Sequence, residues 1–476
     1  MPFKCFCANP ERARRQHNEE THKYRDNFAR DRDRILYSKE FRRLSGKTQV
    51  FVAGYDDHFR TRLTHTLEVA QIAKTVALSL GLNTTLCEAI ALGHDVGHTP
   101  FGHIGERTLN LFMNGCDIFK DFNIDLPEDQ LGFKHNWQGV RVVTTLEKLD
   151  REYPGLNLTN YTLWGILHHS KLTWDQCEYW VNGKCSIRHL NHTCTKANHE
   201  QQVTFYHQYE DLVKSTSWTF EGIIVGWADE IAQRHHDIED GLEARIIDKN
   251  ELMDKFGNTF SVYLSNQQKE IIKTIKLENH KNYVLPLISK LLINFYVSIL
   301  IDSMEHSLQK LKQQFNITDD IIFEQLKGEI IKAKAIDSIA YPNNFVETDK
   351  SMQKYLRDRI LNSHLAQSMD GNANYLLRQL IKAYLTNPQQ LPDETIYALY
   401  SYLLPKSDWD NMNNKSLAEI IGILRNKLNI DHSQNSSIQY KTMLLRTICD
   451  YLAGMTDQYA VQRYELLYGI NSLGKF

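Results

Sequence analysis

Proline is scarce in this chain: ten in 476 residues, beside 23 glycines. So few turn formers disfavour long disordered linkers and a many-turned β-sandwich, and they favour helices. Eight scattered cysteines lack the paired spacing of a disulfide framework, which suits a reducing compartment. The start, MPFKCFCANPERARR, turns charged too soon for a signal peptide. The most apolar run, Leu291 to Ile301, contains Asn294 and is too short to span a bilayer. Neither sign of charge dominates, with 55 Lys+Arg against 58 Asp+Glu, so the footprint of a nucleic-acid binder is missing. A phosphate-cradling glycine loop is also missing, which disfavours γ-phosphate transfer of the ATPase kind. The expectation is an all-α cytoplasmic protein of two or three domains with no membrane partner.

What is present concentrates between Phe59 and Arg107. His65 lies on a predicted helix whose apolar positions, Val69, Ile72 and Val76, share its face. Gly81 is placed to end that helix, and Thr85 with Glu88 has capping-box spacing for the next. The second helix delivers His94-Asp95 directly after apolar Ile90 to Leu92. A buried aspartate is costly unless paired or bound to a cation, so a divalent metal and a satisfied core histidine are the two readings. His98, His103 and Glu106 follow closely. His103 and Glu106, three residues apart, can share a helical face and suit proton transfer.

His65, His94-Asp95 and a distant Asp229 in GWADEIAQRHHDIEDG stand in the H…HD…D order of the HD phosphohydrolase superfamily. Four blocks narrow the choice: SKEFRRLSGKTQVF from Ser38, HFRTRLTHTLEVAQIA from His58, GHDVGHTPFGHIGE from Gly93 and FKHNWQGVRVV from Phe133. In that order they resemble bacterial deoxyguanosine triphosphate triphosphohydrolases, members of the HD phosphohydrolase superfamily, over roughly residues 25–245. The resemblance implies an HD-domain helical core with an additional C-terminal helical domain. It also implies one divalent ion (Mn, Mg, Fe, Co or Zn) on His65, His94, Asp95 and Asp229. His103, Glu106 and His135 would be catalytic. Gln49, Arg62, His98, Lys171 and Asp237 would bind substrate, Gln49 at the deoxyribose, Asp237 at the 3′-hydroxyl and Arg62 at phosphate. The implied substrate is a dNTP, dGTP by family, with a homo-oligomer (tetramer or hexamer) and an activating nucleotide as further implications. The chain departs from its relatives at Gln233, where they carry a tyrosine packed on the deoxyribose.

Other features admit plainer readings. From Arg12 to Lys47, twelve Lys/Arg face six Asp/Glu, which makes either a salt-bridged helical surface or a positive rim for a polyanionic nucleotide. Single-stranded DNA finds no supporting pattern of interleaved aromatics. Cys177, Cys185, Cys194, His189, His192, His199 and His207 are zinc-ligand types, but without a paired C-x2-C knuckle a polar surface insertion is the default. The domain reading is a basic segment over 1–57 contributing to the active site, a core over 58–250 with an insertion near 174–207, and a helical domain over 251–476 making oligomer contacts. Pro286 is expected in a helix's first turn. Another HD nucleotide phosphohydrolase or phosphodiesterase, and a non-catalytic nucleotide-sensing subunit, stand as alternatives.

Overall fold

A computed structural model describes residues 3–49, 60–116, 126–149, 152–173, 180–181, 184–185, 202–433 and 437–469. Among the described residues the fold is all-α apart from one antiparallel pair of two-residue strands, Trp180–Val181 and Lys184–Cys185. The chain forms two units, each discontinuous in sequence. The first comprises Met1–Val96, Gly139–Ser170 and Tyr209–Met369; the second comprises Gly97–Gln138, Lys171–Gln208 and Asp370–Phe476.

In the first unit, four helices that bear on the site begin at side-chain caps. Thr61 caps Arg62–Leu80, Asn83 caps Thr84–Gly93, Thr159 caps Asn160–His168, and Thr219 caps Phe220–Glu243. Each cap oxygen accepts a backbone N–H that the first helical turn leaves without an intrahelical partner. The expected capping box at Thr85 and Glu88 is replaced: Asn83 accepts from both Thr85 and Leu86 and begins the helix earlier. Gly81 ends its helix as expected, in the left-handed conformation at φ 76° that a Cβ would disfavour.

These helices pack on one another around a continuous apolar core. The Thr84–Gly93 and Asn160–His168 helices cross by reciprocal insertion. A Cβ on Gly93 would sit 2.6 Å from Ile166 Cδ1, and one on Gly165 would sit 2.4 Å from Ile90 Cδ1. Both isoleucines are fully buried, each a contribution of about 1.5–3 kcal/mol, and the facing glycines are what let the backbones approach. This close crossing fixes the end of the helix from which His94 emerges.

The Lys281–Gln314 helix runs for 34 residues and starts earlier than expected, so Pro286 lies inside it rather than in its first turn. It is long and apolar enough to cross a membrane, which the eleven-residue reading of its apolar run undercounts. Its apolar positions Ile288, Leu291, Phe295, Leu300, Met304 and Leu308 are buried in the core, and that burial accounts for the composition. Much of the basic N-terminal segment is internally paired. Arg15 bonds Asp31 at 2.6 Å, while Arg30 and Arg34 both meet Glu19, Arg34 at 2.5 Å. The salt-bridged surface is therefore the better description of these arginines.

In the second unit, the Gly102–Met113 helix packs on Ile438–Ala453. Asn110 and Asn114 tie it to neighbouring loops, Asn110 accepting from the N–H of Phe133 at 3.0 Å. Cys177, His189, His192, Cys194 and His199 lie outside the described residues, as does the side chain of Cys185. Cys5, Cys7 and Cys87 are free thiols among the described residues.

The Gly–Ile crossing is directly testable. Gly165→Val adds atoms where Ile90 already sits and is expected to lower the unfolding free energy by about 3 kcal/mol, measured by chemical denaturation.

Candidate active site

The sequence-predicted residues divide between the two units. His65, His94, Asp95, Asp229, Gln49, Arg62 and Asp237 belong to the first; His98, His103, Glu106, His135 and Lys171 belong to the second.

In the first unit, His65 is buried on the Arg62–Leu80 helix and its Nε2 lies 2.9 Å from Asp229 Oδ1 on the Phe220–Glu243 helix. His94 Nε2 is 3.7 Å from the same oxygen and 3.5 Å from Asp95 Oδ1. Ligand atoms of His65, His94 and Asp229 all lie within 4.8 Å of one another. His94 shows how the group is set up. Its Nδ1 donates to the Ala91 carbonyl at 2.7 Å, so the proton is on that nitrogen and Nε2 carries the lone pair. That Nε2 is buried and has no hydrogen-bond partner among the described residues. A buried imidazole lone pair facing carboxylate oxygens is an unfavourable arrangement that a divalent cation would satisfy, and the nitrogen–oxygen donor set suits one.

Burial opposes ionisation of both aspartates. Even so, His94 and Arg62 hold Asp95, and His65 and His94 hold Asp229, well below the ordinary carboxylate range. Arg62 is itself buried and donates to Asp95 Oδ2 at 3.0 Å. Its ion-pair partner is therefore Asp95. Gln49 donates to Gln233 at 2.9 Å, and Gln233 donates to Asp237 at 3.1 Å, so the departure at Gln233 links both expected sugar contacts by hydrogen bonds.

In the second unit, Glu106 is buried on the Gly102–Met113 helix. One of its oxygens accepts from both the backbone N–H and Nδ1 of His135, at 2.9 and 2.7 Å. His103 stands farther away, with Nδ1 3.6 Å from the other oxygen and a largely exposed side chain. Glu106 thus orients His135 directly. Burial opposes the charge of Glu106, but His135, His103 and Lys134 hold its carboxyl well below the usual range. Burial also pushes the His135 imidazole down, against the pull of Glu106, so the ring favours its neutral form. Its Nδ1–H faces Glu106 and leaves Nε2 as the working nitrogen. The His98 ring stacks on His135 with centroids 3.8 Å apart. Lys171 is exposed in the loop that follows the Asn160–His168 helix.

Three residues beside these groups were not among the predicted site residues. Glu68 and His236 stand next to His65, and His169 packs its ring 5.0 Å from that of His94. His169 Nδ1 donates to the Ile166 carbonyl at 2.7 Å, the same backbone anchor that His94 uses. Helical spacing was the available signal: Glu68 follows His65 by three residues, and His236 follows Asp229 by two turns.

The loop between His98 and His103 is strained. Phe101 adopts φ 61°, rare for a bulky side chain, and its N–H donates at 2.8 Å to the buried carboxylate of Asp457. Asp457→Ala removes that acceptor. Exchange of the Phe101 amide measured by hydrogen–deuterium exchange is expected to accelerate, with about 1–3 kcal/mol of stability lost.

Residues 62–203 match the HD domain family, and residues 417–466 match the phosphohydrolase-associated domain family. A "Deoxyguanosinetriphosphate triphosphohydrolase-like protein" of Rickettsia felis is 30% identical over 467 residues, covering 98% of each chain. The protein of that name from Rickettsia canadensis is 31% identical, over 97% of this chain and 99% of its own. One from Leptospira interrogans is 30% identical, over 97% of this chain and 94% of its own.

Proposed function

Because the chain belongs to the deoxyguanosinetriphosphate triphosphohydrolase-like family of HD-domain phosphohydrolases, we propose that it hydrolyses a dNTP, dGTP first among them, to deoxynucleoside and tripolyphosphate. The observation that carries this reading is the His65–His94–Asp229 group, with both histidines buried and Asp229 half-buried, in which His94 Nε2 lacks a hydrogen-bond partner among the described residues. His65, His94, Asp95 and Asp229 would hold one divalent ion, of which Mn, Mg, Fe, Co and Zn all accept such donors. When bound, the ion supplies a more acidic water and polarises a phosphoryl oxygen.

The rest falls to the chain's own groups. A water oxygen bonds to the α-phosphorus, the bond from that phosphorus to O5′ breaks, and O5′ takes a proton. His135, aligned by Glu106, is the best-oriented proton-transfer group, and the exposed His103 is a second candidate. Only Val96 and Gly97 separate Asp95 from His98 in the chain, so the histidine loop follows directly on the metal-ligating pair. His98 and Lys171 serve the phosphates. Arg62 shares its donors between Asp95 and a phosphate oxygen, its Nε having no partner among the described residues. Gln49 and Asp237 address the sugar across Gln233.

Ion-exchange chromatography of products tests the reaction. Incubation with Mn²⁺ or Mg²⁺ and each dNTP, singly and mixed, is expected to yield tripolyphosphate and deoxynucleoside. His94→Ala and Asp95→Ala should lower turnover on the order of 10³-fold, since a catalytic metal contributes several kcal/mol to the transition state. Release of orthophosphate or pyrophosphate instead would sink α-phosphorus attack.

Gln233 leads to a separate expectation. Its amide can hydrogen-bond a 2′-hydroxyl, whereas a tyrosine ring packed on the sugar cannot tolerate one. Gln233→Tyr should therefore raise the ratio of dGTP to GTP turnover, and an unchanged ratio removes Gln233 from sugar selection.

A further inference from the structure

His65 meets a different partner through each ring nitrogen. Nε2 lies 2.9 Å from Asp229 Oδ1, while Nδ1 lies 3.2 Å from Nδ1 of the fully buried His236. Two imidazole nitrogens at that distance share one proton, so one ring donates and the other accepts. The far side of His236 decides which. Its Nε2 lies 2.7 Å from Oε2 of Glu68, a carboxylate whose other oxygen accepts from Arg60 at 2.7 Å and which also faces His235 Nδ1 at 3.2 Å. A carboxylate in an ion pair only accepts, so His236 carries its proton on Nε2 and is an acceptor at Nδ1. His65 must then donate from Nδ1, which leaves the lone pair on Nε2. In a neutral ring that lone pair points at a carboxylate oxygen, an approach that a shared cation makes favourable.

We infer that Glu68 and His236 are positioning residues that fix the tautomer of His65 a divalent ion requires, an inference that rests on the metal-centre reading above. The chain runs from Arg60 through Glu68 and His236 to His65. Each link sets the proton on the next, and none beyond His65 need touch the ion. His235 and Glu239 sit beside it, with His235 Nε2 3.2 Å from Glu239 and Arg60 shared between Glu68 and Glu239. Ligand atoms of Glu68, His235 and His236 also lie within 4.8 Å of one another, so an ion count separates positioning residues from ligands.

Substitutions can invert the chain as well as cut it. In Glu68→Gln, Arg60 draws the amide oxygen to itself and turns the NH₂ toward His236, which forces His236 Nε2 to accept and reverses both tautomers. His236→Leu removes the acceptor for His65. His236→Asn restores one, because its side-chain oxygen falls near the position of Nδ1.

The experiment measures Mn²⁺ stoichiometry by elemental analysis and Kd by calorimetry against a competing chelator, on the full chain, with circular dichroism melts as the folding control. Wild type is expected to bind one ion. Glu68→Gln and His236→Leu should weaken Kd about 10–100-fold, and His236→Asn should stay within about threefold of wild type. Saturating Mn²⁺ should restore much of kcat in the weakened variants while KM for the nucleotide holds. Wild-type affinity in Glu68→Gln and His236→Leu overturns the inference and leaves the metal centre standing. Two ions in wild type, one lost on changing Glu68 or His236, overturns it as well, because those residues would then be ligands. No ion bound to wild type overturns both readings.

Discussion

Asp95 and Asp229 are carboxylates kept ionised inside a helical core, and the surrounding architecture exists under that constraint. Burial alone would neutralise them. Asp95 stays charged because Arg62 is buried with it instead of reaching water. The compensation is local and partial: the Nε2 lone pair of His94 still faces the carboxylate oxygens without a hydrogen-bond partner among the described residues. A stable core would normally avoid that arrangement, so the group reads as one built for a cation.

Precision in this group comes from the backbone beneath it. His94 follows Gly93, whose missing side chain admits Ile166, and the helix bearing Ile166 has its own gap at Gly165 for Ile90. A crossing fixed by two knobs in two gaps leaves the helix ends little freedom to shift. His94 and His169, which end these two helices, then use the same device, an Nδ1–H bonded to a carbonyl three residues back. Backbone, not solvent, sets both rings.

Much of this could be read from sequence. His65, His94, Asp95 and Asp229 were identifiable from their order, and the helix end at Gly81 from its residue type. Tertiary choices were harder. Asn83 captured the start of the helix from Thr85 because an asparagine reaches two backbone donors at once. Arg62 turned to Asp95, a pairing that no spacing announces between residues 33 apart in the chain. Glu106 chose His135 over His103, although His103 lies nearer in sequence, because the backbone N–H of His135 and its ring converge on one oxygen. Glu68 and His236 carry no motif of their own, and their part follows only from the place of His65 between His236 and Asp229. Local periodicity reports which face a residue occupies; it is silent about which of several neighbours on that face will share a proton.

The bond from Phe101 to Asp457 spans 356 positions in the chain. At a synthesis rate of about 5–20 residues per second, roughly 20–70 s pass between the ribosome's addition of the strained loop and of its anchor. The turn at Phe101, between His98 and the Gly102–Met113 helix, therefore cannot be locked while the chain is young. Its conformation is fastened only after the anchoring aspartate has emerged, so one of the last helices to be made completes a turn laid down early in translation.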